Sequence, residues 1–218
     1  MWNAATGNNF CFYTNELGPW AWIRSVAWSP NGRLVASGGD DKIVSVWEAI
    51  LNGEVITYRN HLRPVTAIKW SPDGLNLASG SDDKTVRVWN ATTRQNILTY
   101  QGHSSTIFAV TWSPDKRHIA SASHDGTVQV WDVATGSNLY THRGHSSAVK
   151  AVAWAPNGKF IASGGDDTTV QICNAASGEI VYTYRGHSGN VLAVAWSRDG
   201  KYIASAGEDK TVQVWSAP

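Results

Sequence analysis

Gly102-His103-Ser104-Ser105-Thr106-Ile107-Phe108-Ala109-Val110-Thr111-Trp112-Ser113-Pro114-Asp115-Lys116, continued by Arg117-His118-Ile119-Ala120-Ser121-Ala122-Ser123-His124-Asp125-Gly126-Thr127-Val128-Gln129-Val130-Trp131-Asp132, decides the architecture. Three short runs of β-type composition are separated by turn residues, and a histidine stands in front of them. Thr127 to Trp131 alternates polar and apolar side chains, as a half-buried strand requires. The rest of the chain is this unit again. Trp28, Trp70, Trp112, Trp154 and Trp196 recur 42 residues apart. Trp47, Trp89, Trp131, Cys173 and Trp215 keep the same step, as do His61, His103, His145 and His187. Such units cannot bury their apolar surface singly, so they must stack into one body.

Turn chemistry divides each unit. Ser29-Pro30-Asn31-Gly32, Ser71-Pro72-Asp73-Gly74, Ala155-Pro156-Asn157-Gly158 and Ser197-Arg198-Asp199-Gly200 join a first strand, a, to a second, b. Proline presets φ for a turn, and Asn-Gly or Asp-Gly supplies the positive φ of a tight hairpin. Asp-Asp-Lys, Asp-Asp-Thr and His-Asp-Gly join b to c, and Ala-Thr-Gly or Ala-Ser-Gly joins c to d. In the first unit the spacing predicts d at about 8–14, a at 23–29, b at 34–38 and c at 43–48. The expected organisation is one domain over residues 1–218, with five repeats at about 8–48, 54–90, 96–132, 138–174 and 180–216. The unpaired d comes first and the unpaired a-b-c set last, so the two ends are complementary parts of one sheet.

Composition narrows the function. Net charge is +1 and 16% of residues are charged, so no strong field draws the chain to nucleic acid or an anionic membrane. Apolar runs are strand-sized, short of a membrane span. Met1 to Gly7 lacks the basic and apolar regions of a signal peptide. Cys11 and Cys173 make no disulfide framework, which points to a reducing, intracellular, cytoplasmic setting. The repeat histidines are too dispersed to share a metal ion. Gly38-Gly39 and Gly164-Gly165 lack the context of a phosphate loop. No cofactor and no metal are expected.

The whole chain resembles the WD40-repeat β-propellers. The resemblance rests on Gly102-His103, Gly144-His145 and Gly186-His187, with Asn60-His61 a degenerate copy, and on Trp131-Asp132 and Trp89-Asn90, with Trp47-Glu48 and Trp215-Ser216 degenerate. It implies an all-β ring of radial four-stranded antiparallel blades around a channel. It also implies a rigid, non-enzymatic platform for proteins or peptides.

Counting from each repeat histidine finds His61, Ser79, Asp83 and Trp89; His103, Ser121, Asp125 and Trp131; His187, Ser205, Asp209 and Trp215; and His145, Ser163 and Asp167, which ends in Cys173. Ser, His and Asp together suggest a hydrolase triad, but a nucleophile needs one activated site rather than four copies. The resemblance implies instead a hydrogen-bonded chain that locks each blade.

Two departures stand out. Pro19 occupies the histidine position of the first unit, within a segment three residues longer than its counterparts. Cys173 replaces a tryptophan, and an unfilled cavity there would cost roughly 3–5 kcal/mol. On that basis Cys173→Trp is expected to raise the melting temperature.

The resemblance also places partners at the channel mouth, on the loops joining d to a and b to c. The matching positions are Trp22, Arg24 and Asp40; Pro64, Thr66 and Asp82; Thr106, Phe108 and His124; Ala148, Lys150 and Asp166; and Asn190, Leu192 and Glu208. The rim is acidic at Asp40, Asp82, Asp166 and Glu208, with Trp22, Phe108 and Leu192 as apolar anchors. A basic peptide is the partner this charge favours. The alternatives are a repeat-derived structural or engineered propeller fragment with no specific ligand and, distantly, a hydrolase. Closure is expected through pairing of the N-terminal strand d with the C-terminal a-b-c set, or alternatively as an open arc whose ends pair with other copies.

Overall fold

Alternating side chains and left-handed turn positions make each repeat fold as antiparallel hairpins. The computed structural model describes residues 21–49 and 56–218. The expected strand at 8–14, its pairing with the C-terminal set, Pro19 and Cys11 lie outside the described residues.

The first sheet contains β1 (Ile23–Trp28), β2 (Leu34–Gly39), β3 (Val44–Glu48) and β4 (Ile56–Tyr58). The second has β5 (Val65–Trp70), β6 (Asn76–Ser81), β7 (Val86–Asn90) and β8 (Asn96–Tyr100). The third has β9 (Ile107–Trp112), β10 (His118–Ser123), β11 (Val128–Asp132) and β12 (Asn138–His142). The fourth has β13 (Val149–Trp154), β14 (Phe160–Gly165), β15 (Val170–Asn174) and β16 (Ile180–Tyr184). The last contains β17 (Val191–Trp196), β18 (Tyr202–Gly207) and β19 (Val212–Ser216). Each is an antiparallel meander in chain order. In the third, Ile119 faces Trp112 on one side and Trp131 on the other.

The turns explain the Gly, Asp and Asn punctuation. Gly32, Gly74, Gly158 and Gly200 all have φ near +70°. The Asp132 carboxylate accepts the backbone N–H groups of Ala134 and Thr135 at 3.0 and 2.8 Å, and so turns the chain from β11 into β12. Asn90 and Asn174 do the same after β7 and β15. The turn from b to c also needs one left-handed residue, which is Lys84 in one blade and Gly126 in the next. Thr168 fills that role with φ 65° despite its branched Cβ. A left-handed non-glycine residue costs roughly 1–2 kcal/mol, partly offset by glycine's greater unfolded entropy. Thr168→Gly is therefore expected to stabilise the protein by about 1 kcal/mol, measured as a higher urea midpoint.

Hydrophobic cores lie between blades. Val44 and Val46 of β3 pack with Val65, Ile68 and Trp70 of β5 in one cluster. Val86 and Val88 of β7 pack with Ile107, Val110 and Trp112 of β9 in the next. Gly80 is small because a Cβ there would sit 2.6 Å from the Ile107 side chain of the following blade. The first tryptophan series clips neighbouring blades together. The indole N–H groups of Trp70, Trp112 and Trp196 donate to the carbonyls of Ala27, Lys69 and Ala153 at 3.1–3.2 Å. Trp154 instead donates to Gly158 in its own turn and stacks on His118 of the preceding blade. The innermost strands β1, β5, β9, β13 and β17 pack in succession. Among the described residues no comparable packing joins β17 back to β1.

Candidate functional site

The repeated histidines sit in the loop before strand a, where each reaches an aspartate in the turn from b to c and a serine on strand b. In the third blade the Asp125 carboxylate lies 2.8 Å from His103 Nδ1, and His103 Nε2 lies 2.9 Å from Ser121 Oγ. Trp131 Nε1 donates to the same Ser121 oxygen at 3.3 Å. One consistent proton order runs through the set. The indole donates to the serine, the serine hydroxyl to Nε2, and Nδ1–H to the carboxylate. His61, Ser79, Asp83 and Trp89 repeat it in the second blade. His145, Ser163 and Asp167 join in the fourth, and His187, Ser205 and Asp209 in the fifth. The fifth set departs at its end. The Trp215 indole N–H is buried without a partner, although its ring stacks on Tyr184 at 4.5 Å. Ser79, Ser121, Ser163 and Ser205 are all buried, so none of them presents a nucleophile to a substrate.

Electrostatics follow from this burial. Desolvation pushes the Asp83 and Asp125 carboxyls up, but hydrogen bonds from His61 and Thr85, and from His103 and Thr127, outweigh it. Both end well below the ordinary carboxylate range. Asp167 is lowered by its histidine and Thr169 against the same burial. Burial lowers His145 below its ordinary value, against the pull of Asp167. The signs agree. A His145 that stays neutral when folded contributes stability that is complete above pH about 6.5 and declines below it, as unfolded chains take up the proton first. The depressed carboxylates contribute stability that is complete above pH about 4 and is lost as pH falls toward their folded values. The urea midpoint is expected to fall in two stages on acidification, and a flat profile from pH 7 to pH 3 would refute it.

A second network explains the glycine of the Gly-His pairs. Tyr100 donates to Gln129 Oε1 at 2.6 Å, and Gln129 Nε2 reaches the Gly102 carbonyl. A Cβ on Gly102 would lie 2.2 Å from the Tyr100 hydroxyl and 2.5 Å from the Gln129 oxygen. Gln171 and Gln213 play the same part beside Gly144 and Gly186. These glutamines were not singled out by motif; their signal is their place two residues before the second tryptophan series.

Cys173 is buried, and burial pushes its thiol up to about 11, so it is neutral and unreactive near pH 7. The space of the absent indole is not empty. Tyr140 of β12 packs into the cluster that holds Cys173, with its hydroxyl buried beside the Cys173 thiol. Tyr140 therefore opposes the gain expected from Cys173→Trp, since the indole would have to displace it.

On the face carrying the d–a and b–c loops the candidate residues divide. Thr66, Phe108, Lys150 and Leu192 line one cavity of about 250 Å³, together with Ser25. Phe108 forms the centre. The Lys150 ammonium lies 4.0 Å from its ring centroid, and the His124 ring lies 5.9 Å away. Lys150 also reaches Asp166 Oδ2 at 3.4 Å, while Asp166 Oδ1 is buried and unpartnered. Arg24 donates to Asp40 at 2.5 Å, and this guanidinium holds the Asp40 carboxyl below the usual range. Trp22, Leu192 and Glu208 are exposed, and Asp82 is half-buried. The Thr66 hydroxyl is turned inward, toward the carbonyls of Gly80 and Ile107. It ties two blades together and is unsuited to gripping a ligand.

A cleft of about 380 Å³ opens beside this centre, lined by His124, Arg143, Ser146, Ser147 and Asp166 among others. Arg143 and the two serines fall outside the offsets that identified the rim; the visible signal was an arginine immediately before Gly144-His145 and again, at Arg185, before Gly186-His187. Among the described residues no group of three or more His, Cys, Asp or Glu side chains is arranged to hold a metal ion. No helix among them is long and apolar enough to cross a membrane.

Comparison with known proteins agrees with this architecture. The family model described as the fourth beta-propeller of WDR90 matches residues 64–202, and the model of the WD domain, G-beta repeat, matches residues 12–48. The Periodic tryptophan protein 2 homolog of Dictyostelium discoideum is 32% identical over 81 residues, 29% of this chain. The match spans only 9% of that relative's length. A periodic array of antiparallel four-stranded blades, matched over most of its length by propeller-repeat models, places this chain in the WD40-repeat family.

Proposed function

We propose that the chain is a non-enzymatic scaffold that binds a basic segment of a partner protein at the channel mouth. WD40 repeats as a class suggest a protein-interaction scaffold, and the finer reading concerns the face and the chemistry. The observation that carries it is the Phe108 centre. A half-buried aromatic ring is flanked by a cation, an imidazole and a carboxylate with one unpartnered oxygen. Arg24 and Lys150 are already engaged with Asp40 and Asp166. Asp82 and Glu208 have no such cation among the described residues, so the rim's residual charge is negative. A lysine or arginine from a partner pairs with the carboxylates of Asp82 and Glu208, which lack a cation of their own.

Fluorescence anisotropy with lysine- and arginine-bearing peptides, against acidic and neutral controls, tests this reading. The basic peptides are expected to bind selectively. The triple variant Asp40→Ala, Phe108→Ala, Asp166→Ala should weaken binding at least about tenfold, since removing a hot-spot anchor costs on the order of 2 kcal/mol. Equal binding of all peptides, or none by any, would favour the fragment without a specific ligand.

A further inference from the structure

Four of the seven histidines follow the repeat. The other three, His118, His124 and His142, all belong to the third blade, and each faces the fourth. The His118 ring stacks on Trp154, with ring centroids 6.4 Å apart. His124 lines the cleft together with Arg143, Ser146 and Ser147 of the loop that enters the fourth blade. His142 Nε2 lies 2.8 Å from Gln171 Oε1 of β15. Gln171 Nε2 donates to the Gly144 carbonyl at 3.0 Å, so the amide oxygen faces the imidazole and His142 Nε2 carries the proton. At the matching positions of the second blade stand Asn76, Asp82 and Tyr100. Among the described blade junctions, that of the third and fourth alone lacks the interblade indole clip, because Trp154 donates within its own turn.

We propose that this junction is an acid-sensitive hinge: protonation of the neighbouring imidazoles His142 and His145 loosens the end at the b–c turns, while His118 on Trp154 holds the other end. The two ends are fixed by β10, which runs from His118 to Ser123, just before His124. At the loosening end the His142 and His145 rings are buried and meet edge to face at 6.1 Å. Their charged neighbours are Asp167, 2.9 Å from His145 Nδ1, and Arg143, which follows His142 in the chain. One carboxylate balances one imidazolium, not two, and the guanidinium adds a like charge. Burial, with His142 contributing, already holds His145 below its ordinary value against the pull of Asp167. His124 at the same end lies near Asp125 and Asp166, carboxylates already engaged by His103 and Lys150. The other end has the opposite electrostatics. A charged His118 meets Asp115 at 3.8 Å, the Asp132 carboxylate and the face of Trp154, all of them attractive, with exposed Arg117 beside it in the chain. Stability at the loosening end is therefore complete above pH about 6.5 and declines below it. The loop at 143–148 borders the cleft, so its release widens the cleft. The proposal is independent of any ligand on this face.

Hydrogen exchange on the intact chain at about pH 7.5 and about pH 5.5, each corrected for intrinsic exchange, tests it. The loop at 143–148 is expected to lose protection by up to about tenfold, one pH unit below the ordinary imidazole value. The matching loops at 101–106 and 185–190 serve as internal controls and should change less. The turn at 113–118, at the held end, should keep its protection. His142→Tyr installs the residue of the neighbouring blades, and His142→Gln keeps an N–H donor for Gln171 without a titrating ring. In each variant that folds, judged by circular dichroism, the acid response of 143–148 should fall to that of the controls. An unchanged loop at 143–148, an equal response in all three loops, or a response that survives His142→Gln overturns the proposal. Equal loss at 113–118 overturns the hinge in favour of unfolding of the whole blade.

Discussion

His103→Ala is expected to destabilise the protein by about 3 kcal/mol, since a buried carboxylate and a buried hydroxyl each lose a hydrogen-bond partner at roughly 1–3 kcal/mol apiece. The imidazole is the middle of a chain from the Trp131 indole through Ser121 to Asp125. Without it, the Asp125 carboxylate loses its imidazole donor while its side chain is only 8% exposed. Ser121 loses the acceptor for its proton in a site closed to water. The loop before β9 also loses one of its ties to the turn between β10 and β11, keeping the bond from Ser104 N–H to Asp125. Urea unfolding measures the loss. The double variant His103→Ala, Asp125→Ala should cost less than the sum of the two single variants, because the members act as a unit. His187→Ala should cost less than His103→Ala, since the fifth set has an unpaired indole and its blade leaves one face exposed. A loss below 1 kcal/mol for His103→Ala would mean that the network does not hold the blade.

Cys173→Trp is expected to lower the melting temperature, with a cost of about 1–3 kcal/mol, typical of forcing extra volume into a packed core. In the other blades a strand d tyrosine stacks on the next blade's tryptophan. Tyr100 lies on Trp131 at 4.7 Å and Tyr184 on Trp215 at 4.5 Å. Facing Cys173, that tyrosine position is His142, which reaches Gln171 at 2.8 Å. Tyr140, two residues earlier, has moved into the vacancy. An indole at position 173 must displace Tyr140 from that core; one repeat later Tyr182 and Trp215 occupy the matching positions 5.7 Å apart, but there the tyrosine is 45% exposed. The second blade carries Leu98 at the position of Tyr140, beside a complete tetrad in the third. Tyr140→Leu with Cys173→Trp should therefore exceed the stability of the wild type, because it removes a buried hydroxyl whose neighbour is only a thiol, a weak partner, and gives Ser163 its missing donor. Thermal unfolding of the two single variants and the double variant is decisive. A stabilising Cys173→Trp alone would show that Tyr140 yields freely.

The strands were legible because their causes are local. Alternation from Thr127 to Trp131 and the Ser-Pro-Asn-Gly turns act within a few residues, so five copies of the pattern specify five copies of the sheet. The spacing of His103, Ser121, Asp125 and Trp131 was equally visible. That Gly102 must be glycine was not, because the reason lies in Tyr100 and Gln129, residues whose side chains meet only after the blades stack. At the rim, offsets from the histidine identified Phe108, Lys150 and Asp166 but could not distinguish Thr66, whose hydroxyl faces inward. Arg143 escaped because the cleft it lines lies between two blades.

The 42-residue period and its turn residues thus determined, by themselves, the all-β blade and the number of repeats, since hairpin formation depends on neighbours in the chain. Only the tertiary structure gave the first tryptophan series its role, with Trp70, Trp112 and Trp196 clipping neighbouring blades together. It alone revealed Tyr140 in the space beside Cys173. The physical reason is that a repeat encodes the same contact surfaces in every copy. Whether a given surface is covered depends on what stands next to it in space, which periodicity leaves open.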